Sequence, residues 1–338
     1  MRVGYNPHKD KLKPKSDYFH QVVIPVYIPN SEVYFKDSLQ ILKYCLESLF
    51  KTCHSKTFIS LINNGSSKEV AEYINKLFEE GYIHEIVHTA SIGKLNAVLK
   101  GVVGHDFELV TVADADVLFL ENWQHETYEI FNQFPKCGVV CPVPSPKVLK
   151  QFTSNIIVEK LFSKSMKFVS VSNPKALEHF AESIGNPQFY NKYNLDSYLA
   201  VENNGKRAVV GAAHFVATYR GVLFSSEGIR YSQYSLGGGS ENKILDEPVL
   251  KNGYWRLSTI DNFAYHMGNT NEKWIGEVLQ VLPNEISEVT KLLSFEIKKT
   301  NRISFLIKEF LFKIIKNKLF WKKFLHYKGL TKEASIHY

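Results

Sequence analysis

The sequence predicts an α/β protein with a mostly parallel sheet flanked by helices, followed by a basic helical C-terminal extension. Three observations carry that expectation. Between Gln21 and Val140, apolar β-prone runs alternate with amphipathic stretches, at the spacing that builds a parallel sheet covered on both faces. The run Phe107–Ala113 is mostly apolar and is followed by Asp114 and Asp116. It reads as a strand buried on both faces that delivers two carboxylates to its C-terminal edge. From Lys291 to Lys332 the chain carries twelve Lys/Arg against Glu296 and Glu309, a local excess of ten positive charges. With the whole chain at +7, the remainder is left at −3.

Each element has its own signal. Strands are expected at Gln21–Ile28, Thr57–Ile62, Ile83–His88, Phe107–Ala113 and Gly138–Pro142. Helices fall between them at about Val33–Lys51, Ser67–Glu80, Gly93–Val103 and Asn122–Phe134, the second capped by Ser66 or Ser67. Pro142, Pro144 and Pro146 break the pattern. The polar, aromatic stretch Lys147–Lys206 reads as an irregular lid or acceptor-binding insertion. A strand is expected at Ala208–Val216, then a glycine loop at 237–239, then a helix from Glu241 to Lys251 with Gly253 ending it. Basic helices follow Gly268. The expected division is a main domain over 1–270, in halves 18–142 and 143–270, and a C-terminal region over 271–338.

Composition narrows the classes. A hydrophobic content of 44% with 13% aromatics supplies a globular core and excludes wholesale disorder. No apolar run approaches the roughly 18 residues needed to span a bilayer, and the first ten residues lack a signal-peptide core. Cys45, Cys53, Cys137 and Cys141 have no metal-finger spacing and are expected to be idle thiols. A cytoplasmic protein is expected, with peripheral attachment to the inner face of the cytoplasmic membrane.

The Asp114/Asp116 pair lies between two segments that favour burial, because Val117–Leu120 follows it. A bare carboxylate there costs several kcal/mol or more unless something offsets it. Two hard oxygen ligands at a strand end suit Mg²⁺ or Mn²⁺, which keep positions open for phosphates. Four further features surround the pair in sequence order. The run Val22–Tyr27 is a strand containing Pro25 that opens into a loop, and Leu61–Ser67 ends in turn residues that can bond a base or ribose. Next, Ser91–Ala97 sets Lys94 and Asn96 on a first helical turn. Last, Tyr265–Asn269 offers His266 beside Gly268.

In this order these residues resemble the glycosyltransferase family 2 type of the GT-A fold, over roughly Tyr18 to Asn269. The matching segments are Ile24-Pro-Val-Tyr27, Asn64-Gly-Ser66, Gly93-Lys94 with Asn96, and the Asp-x-Asp at Asp114 and Asp116. The resemblance implies a Rossmann-like sheet and a metal-dependent transfer of sugar from a nucleotide-sugar, a UDP-sugar expected. It implies an acceptor that is a glycan or lipid-linked glycan in surface polysaccharide assembly. Pro25, Tyr27, Asn64, Lys94, Asn96 and Asp114 would bind the donor, and Asp114, Asp116 and His266 would hold Mn²⁺ or Mg²⁺. An inverting transfer also needs a base, which the family places in a Glu-Asp pair about a dozen residues before a Gly-aromatic pair. Glu241 stands twelve residues before Gly253-Tyr254, but Asn242 occupies the usual base position and cannot accept a proton. Glu241 and Asp246 are therefore the catalytic candidates, and a retaining mechanism stays open.

The basic tail is read separately. Ile303, Leu306, Ile307, Phe310, Leu311, Ile314, Trp321, Phe324 and Leu325 lie close to one helical face, while Phe305, Phe312 and Leu319 fall off it. A basic helix with such a stripe suits an anionic membrane surface, and packing on the body or on a second copy in a homodimer is the alternative. Removing residues 291–338 is expected to leave donor binding intact. Two other functions remain. A sugar-1-phosphate nucleotidyltransferase would need a glycine-rich loop, which Val22–Asn30 lacks. A non-catalytic, membrane-docked module would bind the donor without turnover. No motif points to nucleic acid.

Overall fold

The computed structural model describes residues 3–12, 16–225, 231–283 and 301–338. The start of the expected basic stretch, residues 291–300 with Glu296, lies outside the described residues. Among the described residues twelve strands are formed: β1 (His20–Val26), β2 (Thr57–Asn64), β3 (Glu85–Thr89), β4 (Leu109–Ala113), β5 (Val117–Phe119), β6 (Cys137–Cys141), β7 (Met166–Ser170), β8 (Ser197–Asn203), β9 (Lys206–Val210), β10 (Val216–Arg220), β11 (Trp255–Ser258) and β12 (Ala264–His266). Ten of them make one sheet in the order β3-β2-β1-β4-β10-β6-β11-β9-β8-β7. The pairings leave β10, β9 and β7 opposed to the rest, so the sheet is mostly parallel in strand direction.

Side-chain alternation explains the burial on both faces. In β1, Val22, Ile24 and Val26 enter one core while Val23 joins Ile62, Ala97, Val102 and Val110 on the other side, as a period of two requires. The helix Ser38–Thr52 buries Ile41, Leu42, Cys45, Leu46 and Leu49, one stripe at helical spacing. The helix Lys94–Val102 covers the opposite face. All four cysteines are free and buried.

Three expectations are corrected. The segment Lys147–Lys206 is not irregular. It contains β7, β8 and the helix Pro174–Ser183, and its strands extend the sheet through antiparallel pairing. Ala208–Val216 is not one strand, because Gly211 takes φ +109° and the chain leaves the sheet until β10 begins. The helix expected over Glu241–Lys251 is a wide π turn at Asn242–Asp246 followed by an α-helix at Glu247–Lys251. Pro248 has no N–H to bond back to residue 244, so an unbroken α-helix could not cross this point.

The C-terminal elements join the body. The helix Lys273–Val281, assigned by sequence to the C-terminal region, places Ile275 and Leu279 in the first core. The expected stripe over 303–325 is divided between two helices, Arg302–Ile315 and Lys318–Tyr327. Asn317 caps the second through its side chain, which accepts from the Leu319 amide at 3.2 Å. Trp321, Phe324 and Leu325 sink into a second core with Leu149, Ile156 and Met166. Phe312, off the stripe, is buried there too, whereas the stripe residues of the first helix face outward.

Candidate active site

Parallel pairing puts the ends of β1, β2 and β4 at one edge, the usual place for a ligand in such sheets. A cleft of about 450 Å³ opens there, lined among others by Pro25, Tyr27, Asn64, Lys94, Asp114 and Asp116. Six of the sequence-derived residues are thereby gathered in one place. Two glycines permit the close approaches that shape it. Gly65 has φ +83° and any Cβ would come 2.8 Å from the Ser91 nitrogen; Gly93 has φ +90° and its Cβ would meet the Tyr234 carbonyl at 2.9 Å. Asn64 Oδ1 accepts from the Ile92 amide at 2.8 Å, which fixes the loop ahead of Lys94.

Asn96 does not line the cleft. Its Nδ2 donates to the Ile92 and Ser232 carbonyls and its Oδ1 accepts from the Ser232 amide, all within 2.8 Å. Both donors of the amide are spent on backbone carbonyls, and Asn96 is not among the residues that line the cleft. Its work is to clamp residues 232–235 over the site, helped by the Lys94 amide on the Ser235 carbonyl at 2.9 Å.

Lys94 is the electrostatic centre. Its Nζ lies 2.6 Å from Asp114 Oδ1 and 3.1 Å from Glu241 Oε1. Burial pulls its pKa down, but the two carboxylates more than reverse this and hold the ammonium above the usual lysine value. For Glu241 burial works upward, yet Lys94, with His214 adding, keeps the carboxyl below its usual range. Glu241 is therefore ionised at the edge of the site.

Asp116 and His266 meet through secondary structure that the sequence did not reveal. β12 pairs antiparallel with β5, His266 opposite Val117, and the Met267 amide bonds the Asp116 carbonyl at 2.8 Å. His266 Nε2 then stands 3.3 Å from Asp116 Oδ2. Its Nδ1 lies 2.9 Å from Ser183 Oγ, whose hydroxyl donates to the Phe180 carbonyl at 2.8 Å. Because that hydroxyl has one proton, it accepts from Nδ1–H, which leaves Nε2 as the ring atom turned to the Asp116 carboxylate. An imidazole nitrogen and a carboxylate oxygen at that separation can share a proton or flank a cation. Asp116 Oδ1 is also buried without a hydrogen-bond partner, and its carboxyl is held above the usual range by desolvation first, with Asp114 adding.

These donors fit a small hard cation through one carboxylate and one imidazole, leaving positions for phosphate oxygens and water. The expected three-ligand set is corrected: among the described residues no three His, Cys, Asp or Glu side chains converge on one point. Asp114 lines the same cleft, with its Oδ1 held by Lys94 at 2.6 Å. Ser183 was missed by sequence reasoning, as nothing local marks a serine at a helix end as the partner of a histidine 83 residues on.

Asp246 is also corrected. It is fully buried, paired with the Arg256 guanidinium, and its Oδ2 lies 2.7 Å from His214 Nε2. A carboxylate enclosed this way has no open side for an acceptor hydroxyl. His214, absent from the sequence reading, is pushed down to about 4 by burial, with Arg256 adding. It is neutral at pH 7 and donates Nε2–H to Asp246.

Residues 22–181 match the family described as Glycosyl transferase family 2. The chain carries a domain of that family and is a glycosyltransferase, an enzyme that uses a nucleotide sugar. Glu241, Asp246 and His266 lie beyond the matched segment. Among solved structures the chain is similar to the mannosyltransferase PcManGT from Pyrobaculum calidifontis in complex with GDP-Man and Mn²⁺. The identity is 13%, covering 96% of this chain and 74% of that one, with a TM-score of 0.45. It is also similar to TarS 1-349 of S. aureus in complex with UDP-GlcNAc, at 12% identity over 94% and 69% of the two chains, TM-score 0.42. A search of curated proteins finds no match.

Proposed function

We propose that the cleft moves a glycosyl group from a nucleoside diphosphate sugar, a UDP-sugar in the first instance, to a hydroxyl of a glycan or lipid-linked acceptor in surface polysaccharide assembly, with inversion. The observation that carries this reading is the Asp116–His266 pair, an imidazole nitrogen 3.3 Å from a carboxylate whose Oδ1 is buried without a partner, a donor set suited to a divalent cation at a strand edge. Mn²⁺ or Mg²⁺ bound there supplies Lewis-acid neutralisation of the departing diphosphate. Pro25 and Tyr27 offer apolar walls for a base, and Lys94 offers an ammonium to the phosphates. As Lys94 turns to the donor, Glu241 loses part of the charge that depresses its pKa and becomes a better base. Its carboxylate then takes the acceptor proton as the new bond to the anomeric carbon forms and the diphosphate leaves.

Glu241→Gln is expected to slow transfer by about 10² to 10⁴, the usual worth of a general base, with donor affinity little changed. Because the Glu241 pKa is lowered, the wild-type rate should hold near neutrality and fall only as pH drops through the acid side of the carboxylate range. The variant should lose that limb. Asp246→Asn should cost stability instead, about 3–5 kcal/mol for stripping a buried charge of its partner, with the rate per folded molecule largely kept. Pre-steady-state rates, thermal denaturation and NMR of the product anomer separate these outcomes. A retained configuration together with an unimpaired Glu241→Gln would overturn the inverting reading.

A further inference from the structure

The helix Arg302–Ile315 is turned with its apolar side to solvent. Ile303, Leu306, Ile307, Phe310, Leu311 and Ile314 are each between 40% and 64% exposed. At 3.6 residues per turn they fall within an arc of about 140°, along a helix about 21 Å long. Leu319 and Phe320, also exposed, continue the surface into the next helix. The other side of the helix is tied down, since Phe312 enters the second core and Lys308 Nζ lies 2.6 Å from Glu159 Oε1. A helix whose only task was to complete the fold would point its apolar stripe inward. A contiguous apolar surface of this kind marks a contact with something else.

Charge selects the occupant. Residues 301–332 hold nine Lys/Arg against Glu309 alone. On the helical wheel Arg302 and Lys313 border the apolar arc, and Lys316 and Lys318 follow at its C-terminal end. A second copy docked through the same face in a two-fold interface would bring these cations against their own images. Anionic headgroups would neutralise them while the acyl region takes the apolar arc. We infer that this face docks in the plane of an anionic bilayer surface. It lies on the surface and does not span it: among the described residues no helix is long and apolar enough to cross a membrane. The inference stands apart from the reading of the cleft.

The test is co-sedimentation of the full chain with phosphatidylcholine vesicles, with and without phosphatidylserine. Binding is expected to the anionic vesicles, to weaken with salt, and to fall roughly tenfold or more in Lys313→Glu/Lys316→Glu. Leu306→Ser/Phe310→Ser should abolish it without lowering the melting temperature, because both side chains are exposed in the free protein. Equal binding to neutral vesicles, absence of binding to anionic ones, or unchanged binding by the serine variant would overturn the proposal. So would a concentration-dependent dimer, seen by analytical ultracentrifugation, that the serine variant loses, since that would give the face to a second copy.

Discussion

Asp116→Ala is expected to abolish sugar transfer, by about 10² to 10³ or more, the scale on which removal of one electrostatic stabiliser acts. The fold should survive. The carboxyl is desolvated, has Asp114 beside it, and leaves Oδ1 without a partner, so its loss removes a strained charge as well as a ligand. Melting temperature should therefore stay level or rise while Mn²⁺ affinity, read by electron paramagnetic resonance, collapses. Retention of near wild-type rates in Mn²⁺ would mean that the Asp116–His266 pair is only a structural contact.

A chain ending at Lys316 is expected not to hold its native fold. Trp321, Phe324, Leu325 and Leu330 are all within 6% of complete burial in the second core. Each such side chain contributes about 1.5–3 kcal/mol when buried, and together they compare with the whole stability of about 5–15 kcal/mol. Lys328 adds two hydrogen bonds of 2.9 Å from its Nζ to the Lys160 and Ser163 carbonyls. This reverses the expectation from sequence that residues 291–338 could be removed with donor binding intact. Soluble yield and thermal denaturation of the truncated chain measure it. A soluble, cooperatively melting product would show that the second core closes without these helices.

What the sequence made legible was local. The alternation in Val22–Val26 and the apolar run ending at Asp114 describe single strands, and single strands carry their own pattern. Pairing partners do not. Nothing between Val117 and His266 announces that β5 and β12 lie side by side, so Asp116 and His266 could be named but not brought together. Asn96 sits where a donor-binding residue belongs, and only the position of Ser232 shows that its side chain bridges two backbone segments. The period of the tail correctly gave a stripe on Arg302–Ile315, but a period does not say which way a stripe faces. The break at Asn317, a capping residue ahead of a second apolar run, was not read from the sequence, which ran one stripe through Leu325. Asp246 misled because, with Asn242 at the usual base position, a helix shifted by a turn would have offered it as the base, while in the structure it follows a π turn and is buried against Arg256.

The central claim is that this cleft turns over a nucleotide sugar with a divalent cation at Asp116 and His266. The most direct measurement is release of nucleoside diphosphate from a panel of nucleotide sugars, with Mn²⁺ and with chelator, for wild type and His266→Ala. Release from at least one donor is expected in Mn²⁺, with its loss on chelation and a strong reduction in His266→Ala with the fold intact. Turnover that is indifferent to chelator and to His266→Ala, or no turnover of any donor by the wild-type protein, would contradict it.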